Sequence, residues 1–279
     1  MNYELIVQKI KKNVGKEVYY HKHLKGKKIL NAIVIGNENI RPQFYVESFM
    51  EKFKTEEEIA NAISEFYKLN ENETKLRVPN ISDFNSIKNM IIPCVVNEKA
   101  FIDNDICLKT YLNDINVSYR VFIDENASFI IKKQMLDVWG ISLDELHKIS
   151  LINLENSNYS FRDMQGVLCE LYEEVGEKEE INLEENFMYI LSNKTRVYGA
   201  NNLLNIRVLE NIRKKIGNYF IIPSSIHELI IVPYSNENNE VAEIKNMIKE
   251  VNENVLNEDE LLSSFLYAYT DKNKLFQVA

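Results

Sequence analysis

The stretch Tyr219-Phe220-Ile221-Ile222-Pro223-Ser224-Ser225-Ile226-His227-Glu228-Leu229-Ile230-Ile231-Val232-Pro233 decides how the chain is read. Two short apolar runs, Tyr219–Pro223 and Leu229–Pro233, have the length and the aromatic and β-branched content of strands. The polar run between them reads as the turn that joins them. Working outward, Phe187-Met188-Tyr189-Ile190-Leu191 reads as an earlier strand. Ile206, Leu209, Ile212 and Ile216 recur at helical spacing, and Gly217 ends that helix. Downstream, Val241, Ile244, Met247, Ile248 and Val251 mark a long helix, and Leu261–Val278 is expected to add a short helix and an edge strand. The order strand, helix, strand, strand, helix predicts a sheet with helices covering one face.

The rest of the chain fits the same class. Residues 3–14 read as an amphipathic helix with Leu5, Ile6 and Ile10 on one face. Residues 17–36 read as two strands joined by a basic turn. Residues 44–69 read as helical, with Thr55 and Glu58 spaced as a capping box ahead of Ile59, Ile63 and Phe66. A second helix is expected from Ser82 or Asp83 to Ile91, stopped by Pro93. Residues 106–132 predict a three-stranded meander. A short helix then ends at Trp139-Gly140, and Ser142 with Glu145 opens the next. Met164, Val167, Leu168 and Leu171 make a further helical stripe. The acidic break at 176–186 is the candidate boundary between an N-terminal α+β region, 1–178, and a C-terminal β-α-β-β-α region, 179–279; the two can also share one continuous core. The fold class is therefore α+β, with a mixed or antiparallel sheet, helices packed mainly on one face, and two interlocked halves as an option.

Composition bounds the function. The formal net charge of −9 disfavours nucleic-acid phosphates. Lys9, Lys11, Lys12, Lys16, Lys22, Lys25, Lys27 and Lys28 form a local exception, but no arginine precedes Arg41. Nucleic-acid binding through these lysines is the weakest reading, against a solvated face. Cys94, Cys107 and Cys169 are few and widely spaced, which fits buried thiols in a reducing compartment. The N-terminus lacks a signal pattern and no run approaches a membrane span, so a soluble, cytoplasmic protein is expected.

Three groups of residues could carry chemistry. In the 223–228 run, Ser225 and His227 could act as nucleophile and base, or Ser224, Ser225 and His227 could hold a ligand. No glycine flanks either serine as a nucleophile elbow requires. If 226–232 is extended, His227 and Glu228 point to opposite faces, so Glu228 cannot orient the imidazole. The alternative is a turn whose hydroxyls satisfy the backbone. In the loop 193–202, Arg196, Tyr198 and Asn201 could meet a polar or anionic ligand, against ordinary turn chemistry. His21 and His23 share a strand face, but no third ligand is close in sequence, so no metal site is assigned. Gly-rich nucleotide motifs are missing, and no cofactor is assigned. Trp139 reads as a packing anchor.

Several tracts together resemble a known pattern. They are Phe187–Lys194, the small-residue turn Tyr198-Gly199-Ala200, Phe220–Glu228 with Pro233 behind it, Leu136-Asp137-Val138-Trp139-Gly140-Ile141, and Pro42-Gln43-Phe44-Tyr45. They resemble an uncharacterised bacterial family of unknown function, common in anaerobic Gram-positive genomes. The resemblance covers most of the chain and implies that the serine–histidine run is a family feature. It implies no activity. One departure is Tyr45-Val46-Glu47-Ser48-Phe49-Met50, where the family carries a Tyr-Leu-Asn-Asp-Tyr-Tyr tract.

The first expectation is a non-enzymatic binding or regulatory protein, one that binds another protein in a mobile-element or host–phage setting. The alternative is a hydrolase or transferase using Ser225 and His227 on a polar small molecule, with Arg196 or Asn201 holding it.

Overall fold

In a computed structural model of the chain, the described residues are 1–25, 28–36, 42–50, 52–74, 79–101, 104–123, 128–167, 188–234, 240–254 and 260–278. The chain divides into two compact units, Met1–Ile81 and Ser82–Ala279.

In the first unit, helix α1 (Tyr3–Val14) starts where the Asn2 side chain accepts from the Leu5 N–H, and it stops at Gly15 in the left-handed conformation, φ 68°. Strands β1 (Val18–Lys25) and β2 (Lys28–Ile35) pair along their whole length, from Val18 opposite Ile35 to Lys25 opposite Lys28. The reading of 44–69 as one helical region is corrected at its start. Gln43–Tyr45 is a strand, β3, that sets Phe44 opposite Ile33. Helix α2 (Glu47–Met50) and helix α3 (Glu56–Thr74) follow. The Thr55–Glu58 box is present: the Glu58 N–H donates to Thr55 Oγ1 at 3.2 Å, and the Thr55 N–H donates to Glu58 Oε2 at 3.0 Å. The core takes Ile6 and Ile10 from α1, Ile33 and Ile35 from β2, and Ile59, Ile63 and Tyr67 from α3. Two helix phases differ from expectation: Leu5 and Phe66 are exposed, and Tyr67 fills the position on the Ile59–Ile63 stripe.

The second unit begins with helix α4 (Phe84–Ile87) and a 3-10 turn, Lys88–Met90. The expected stop at Pro93 is wrong in kind. Pro93 lies inside strand β4 (Ile91–Asn97), opposite Tyr119. A proline is tolerated there because β4 is an edge strand and need not donate outward. β4 pairs with β6 (Ile115–Phe122), which also takes β5 (Lys109–Leu112) and β7 (Ser128–Ile130), so the predicted meander is present. Helix α5 (Lys133–Trp139) ends at Gly140, φ 65°, and the Ser142–Glu145 box opens α6 (Leu143–Glu155).

A six-stranded antiparallel sheet carries the rest. It contains β8 (Ser160–Asp163), β9 (Tyr189–Ser192), β10 (Tyr219–Ile222), β11 (Leu229–Pro233), β12 (Tyr267–Thr270) and β13 (Lys274–Gln277), in the order β13-β12-β10-β11-β9-β8. The tail supplies the expected edge strand, β13, but its partner is a second strand, β12, lying within the sheet, where a short helix was expected. Leu266, Tyr267, Ala268 and Tyr269 are all buried there. The candidate boundary at 176–186 lies outside the described residues; β8 and β9 on either side of it pair from Ser160–Ser192 to Asp163–Tyr189.

Helix α7 (Ile206–Ile216) buries Val208, Leu209 and Ile212 in a core shared with both sheets of this unit. Each such side chain is worth about 1.5–3 kcal/mol on full burial. Helix α8 (Glu240–Asn254) packs Ile244 and Ile248 with Phe220 and Ile222 in a separate cluster. Strand alternation explains the split, since Tyr219 and Ile221 point one way and Phe220 and Ile222 the other. No helix among the described residues is long and apolar enough to cross a membrane.

Candidate functional site

The two polar loops singled out in the sequence meet in the second unit. β9 delivers Ser192 and then the loop 193–198. Asn193 organises that loop: its Oδ1 accepts from Thr195 Oγ1 at 3.1 Å and from the Val197 N–H at 3.3 Å, while its Nδ2 donates to the Val197 carbonyl at 2.7 Å. Arg196 and Tyr198 are held at φ 54° and 55°. A non-glycine residue there costs roughly 1–2 kcal/mol, so the surrounding bonds must hold the conformation. The 3-10 segment Gly199–Leu204 follows and is buried throughout.

The second loop leaves β10 at Pro223. Its backbone is tied to the segment before β12: Leu262 N–H donates to Ser224 O at 2.8 Å, Ser263 N–H to Pro223 O at 2.9 Å, and Ile226 N–H to Glu260 O at 2.9 Å. The premise that 226–232 is extended fails at its start. Ile226 and His227 lie in a bend, and β11 begins only at Leu229. Strand alternation therefore does not separate His227 from Glu228.

Four contacts join the loops. Ser192 Oγ donates to the His227 carbonyl at 2.8 Å, the Tyr198 N–H donates to His227 Nδ1 at 3.3 Å, and the Ala200 N–H donates to the Ile226 carbonyl at 3.3 Å. The fourth is steric. Gly199 fits so closely that a Cβ would overlap Ser192 Oγ and the His227 carbonyl oxygen, with Ser192 Cα at 2.8 Å. Asn202 braces the arrangement by donating to the Ser192 and Gly199 carbonyls at 3.1 and 2.9 Å.

These bonds settle how Ser225 and His227 are used locally. Ser225 Oγ accepts the His227 backbone N–H at 3.0 Å, the local turn that hydroxyl residues make. Ser225 and Ser224 are each only 5% exposed. His227 Nδ1 is an acceptor, so the neutral ring carries its proton on Nε2, which faces Glu260 Oε1 at 3.9 Å. No contact joins the imidazole to the Ser225 hydroxyl among the described residues. Burial pushes the Glu228 carboxyl up from its ordinary value. His227 and a hydrogen bond with Ser225 oppose that rise, Glu260 adds to it, and Arg196 counters it.

The remaining candidates separate. Arg196 is exposed on the loop rim. The Tyr198 ring lies 6.0 Å from His227 and 5.9 Å from Phe122, with the Arg120 guanidinium 5.2 Å from its centre. Asn201 turns inward. It is 4% exposed, its Oδ1 accepts the Val95 N–H at 3.0 Å, and its Nδ2 approaches Cys94 Sγ at 3.6 Å. It ties the 3-10 segment to β4 and does not reach the surface with Tyr198 and His227. Burial pushes the Cys94 thiol up to about 12, so it remains a thiol. Cys107 is also buried and free, and Cys169 lies outside the described residues.

Sequence reasoning passed over Glu260, Arg120, Ser192 and Asn202. Only Ser192 and Asn202 carried a local signal, as polar residues bordering the 193–202 run. Elsewhere, His21 and His23 rings stand 5.9 Å apart on β1. No group of three His, Cys, Asp or Glu side chains able to hold a metal occurs among the described residues. Two of the N-terminal lysines are spent on carboxylates, Lys9 on Glu57 at 2.8 Å and Lys11 on Glu17 at 2.7 Å.

The fold and the loops thus define an α+β protein whose serine–histidine run is bound into a polar junction between sheet loops. The chain belongs to the family of unknown function DUF5688, whose model matches residues 3–271. No curated protein and no solved structure matches it.

Proposed function

We propose that this is a non-enzymatic binding or regulatory protein, in which the junction of loops 193–198 and 223–228 shapes a surface for another protein. One observation carries the reading: Ser225 Oγ meets the His227 backbone N–H and not the imidazole, and Nδ1, the bare nitrogen of the neutral ring, is taken by the Tyr198 N–H. The groups that line the rim are Arg196, the Tyr198 ring, His227 Nε2 and Glu260. They suit recognition of a polar surface more than bond cleavage. The test is incubation with a serine-reactive fluorophosphonate and a panel of ester and amide substrates, alongside capture of partners on immobilised protein. The reading predicts no labelling of Ser225, no turnover, and a captured protein that is lost with Arg196→Glu. Turnover abolished by Ser225→Ala would overturn it.

A second reading has one supporting observation. The half-buried Glu228 carboxyl shares a hydrogen bond with Ser225 and is shifted upward. A hydrolase or transferase would then use Glu228, not His227, as the group beside the serine. Its test is a pH–rate profile that moves with Glu228→Gln.

A further inference from the structure

A separate part of the second unit has unassigned features that converge. β8 ends the six-stranded sheet, with β9 as its partner strand among the described residues. Half of the backbone N–H and C=O groups of an edge strand point outward, a template for another strand. A cleft opens beside β8, lined by Tyr159, Phe161, Asn211, Ile212 and Lys215. Its aromatic wall is fixed in place, because Phe161 stacks on Tyr189 at 4.8 Å and Lys215 Nζ lies 5.5 Å from the Phe161 ring centre. Tyr159 is 41% exposed.

The other wall is α7, whose outer stripe is basic. Arg207, Asn211, Lys214 and Lys215 follow one another at helical spacing and are all exposed. Arg213 is paired with Glu210 at 2.7 Å, but Arg207 and Lys214 have no carboxylate partner among the described residues. This matters because the chain's acidic excess falls in this unit: Ser82–Ala279 is net negative and Met1–Ile81 net positive. Cations without a carboxylate partner among the described residues, standing together on an acidic body beside an edge strand and an aromatic cleft, specify a complementary ligand.

We propose that β8 and the α7 cleft bind an extended acidic segment of a partner protein. Its main chain adds to the outer edge of β8. One apolar side chain enters between Tyr159 and Phe161, and its carboxylates meet Arg207, Lys214 and Lys215. The proposal uses none of the residues of loops 193–198 and 223–228, so the two readings fail independently.

The probe is a fluorescein-labelled peptide that alternates Glu with Val around a central Phe, followed by fluorescence anisotropy with the full chain. Saturable binding is expected, weakened at least about tenfold, about 1.4 kcal/mol, by the charge reversals Arg207→Glu and Lys214→Glu. Methylation of alternate peptide nitrogens removes the edge hydrogen bonds and is expected to abolish binding. Circular dichroism checks that the variants remain folded. No binding of the Glu peptide, equal binding of its Gln counterpart, or indifference to both variants and methylation would each overturn the proposal. So would equal binding of a thymidine oligonucleotide lost with the same variants, which would mark the stripe as a general polyanion site.

Discussion

Replacing Gly199 with alanine adds one methyl group where there is no room for it. The new Cβ would overlap Ser192 Oγ and the His227 carbonyl oxygen and sit 2.8 Å from Ser192 Cα. A hydroxyl can rotate away, but the other two atoms belong to backbone held by β9 and by the 223–228 loop. Overpacking of this kind costs about 1–3 kcal/mol. Moving the loops apart also breaks the 2.8 Å bond from Ser192 to His227, worth about 1 kcal/mol net. The expected loss is therefore about 2–4 kcal/mol. With a urea slope of about 2–3 kcal/mol/M for a unit this size, the midpoint falls by roughly 1 M. Trp139, the one tryptophan in the chain, lies in the same unit and reports its unfolding by fluorescence. The matched control is Gly140→Ala. Gly140 has φ 65° but nothing within 4 Å of an added Cβ, so it tests backbone strain alone, about 1–2 kcal/mol. If Gly199→Ala proves milder than Gly140→Ala, the close seating of the two loops is wrong.

Asn201→Ala leaves the buried Val95 N–H without its acceptor and is expected to cost about 1–3 kcal/mol by the same Trp139 melt; an effect within error would show the tie to be dispensable. Ser142→Ala removes the hydroxyl that accepts the Glu145 N–H at the start of α6, leaves the backbone half of the capping box in place, and is expected to cost about 1 kcal/mol, read from the urea midpoint. Glu210 is hydrogen-bonded by Arg213, Lys274 and Tyr269, which hold its carboxyl down to about 2 from 4.5. A depressed carboxylate stabilises the fold above its unfolded value and loses that contribution as pH falls toward the folded one. Midpoints measured from pH 6, above that window, down to pH 3, inside it, should therefore drop less steeply in Glu210→Gln than in the natural chain, and parallel curves would refute the network.

The strongly periodic elements were legible because local pattern and tertiary demand agree there. Tyr219–Ile222 and Leu229–Pro233 are strands as read, α7 ends at Gly217, and both capping boxes form with the expected partners. The errors fall where tertiary position overrides local chemistry. Pro93 stops a helix on propensity but sits on an edge strand, a place sequence does not reveal. β3 is only three residues long and is defined by its pairing with β2, not by its own pattern. In the site, the loops were visible as polar interruptions. Their chemistry was not, because the fate of the His227 ring depends on the backbone N–H of Tyr198, distant in sequence. Asn201 looked like a surface ligand because asparagine favours loops, and nothing local signals the β4 amide it satisfies.

Whether the junction can work as a nucleophile–base pair turns on how His227 is held. Long-range nitrogen–proton NMR at a pH where the ring is neutral reads its tautomer directly, with His227→Gln to assign the signal. Held by the Tyr198 N–H, Nδ1 should be the bare nitrogen and Nε2 the protonated one, unchanged in Ser225→Ala. A proton on Nδ1, with a signal that shifts when Ser225 is removed, would place the imidazole in a nucleophile–base pair and contradict the account.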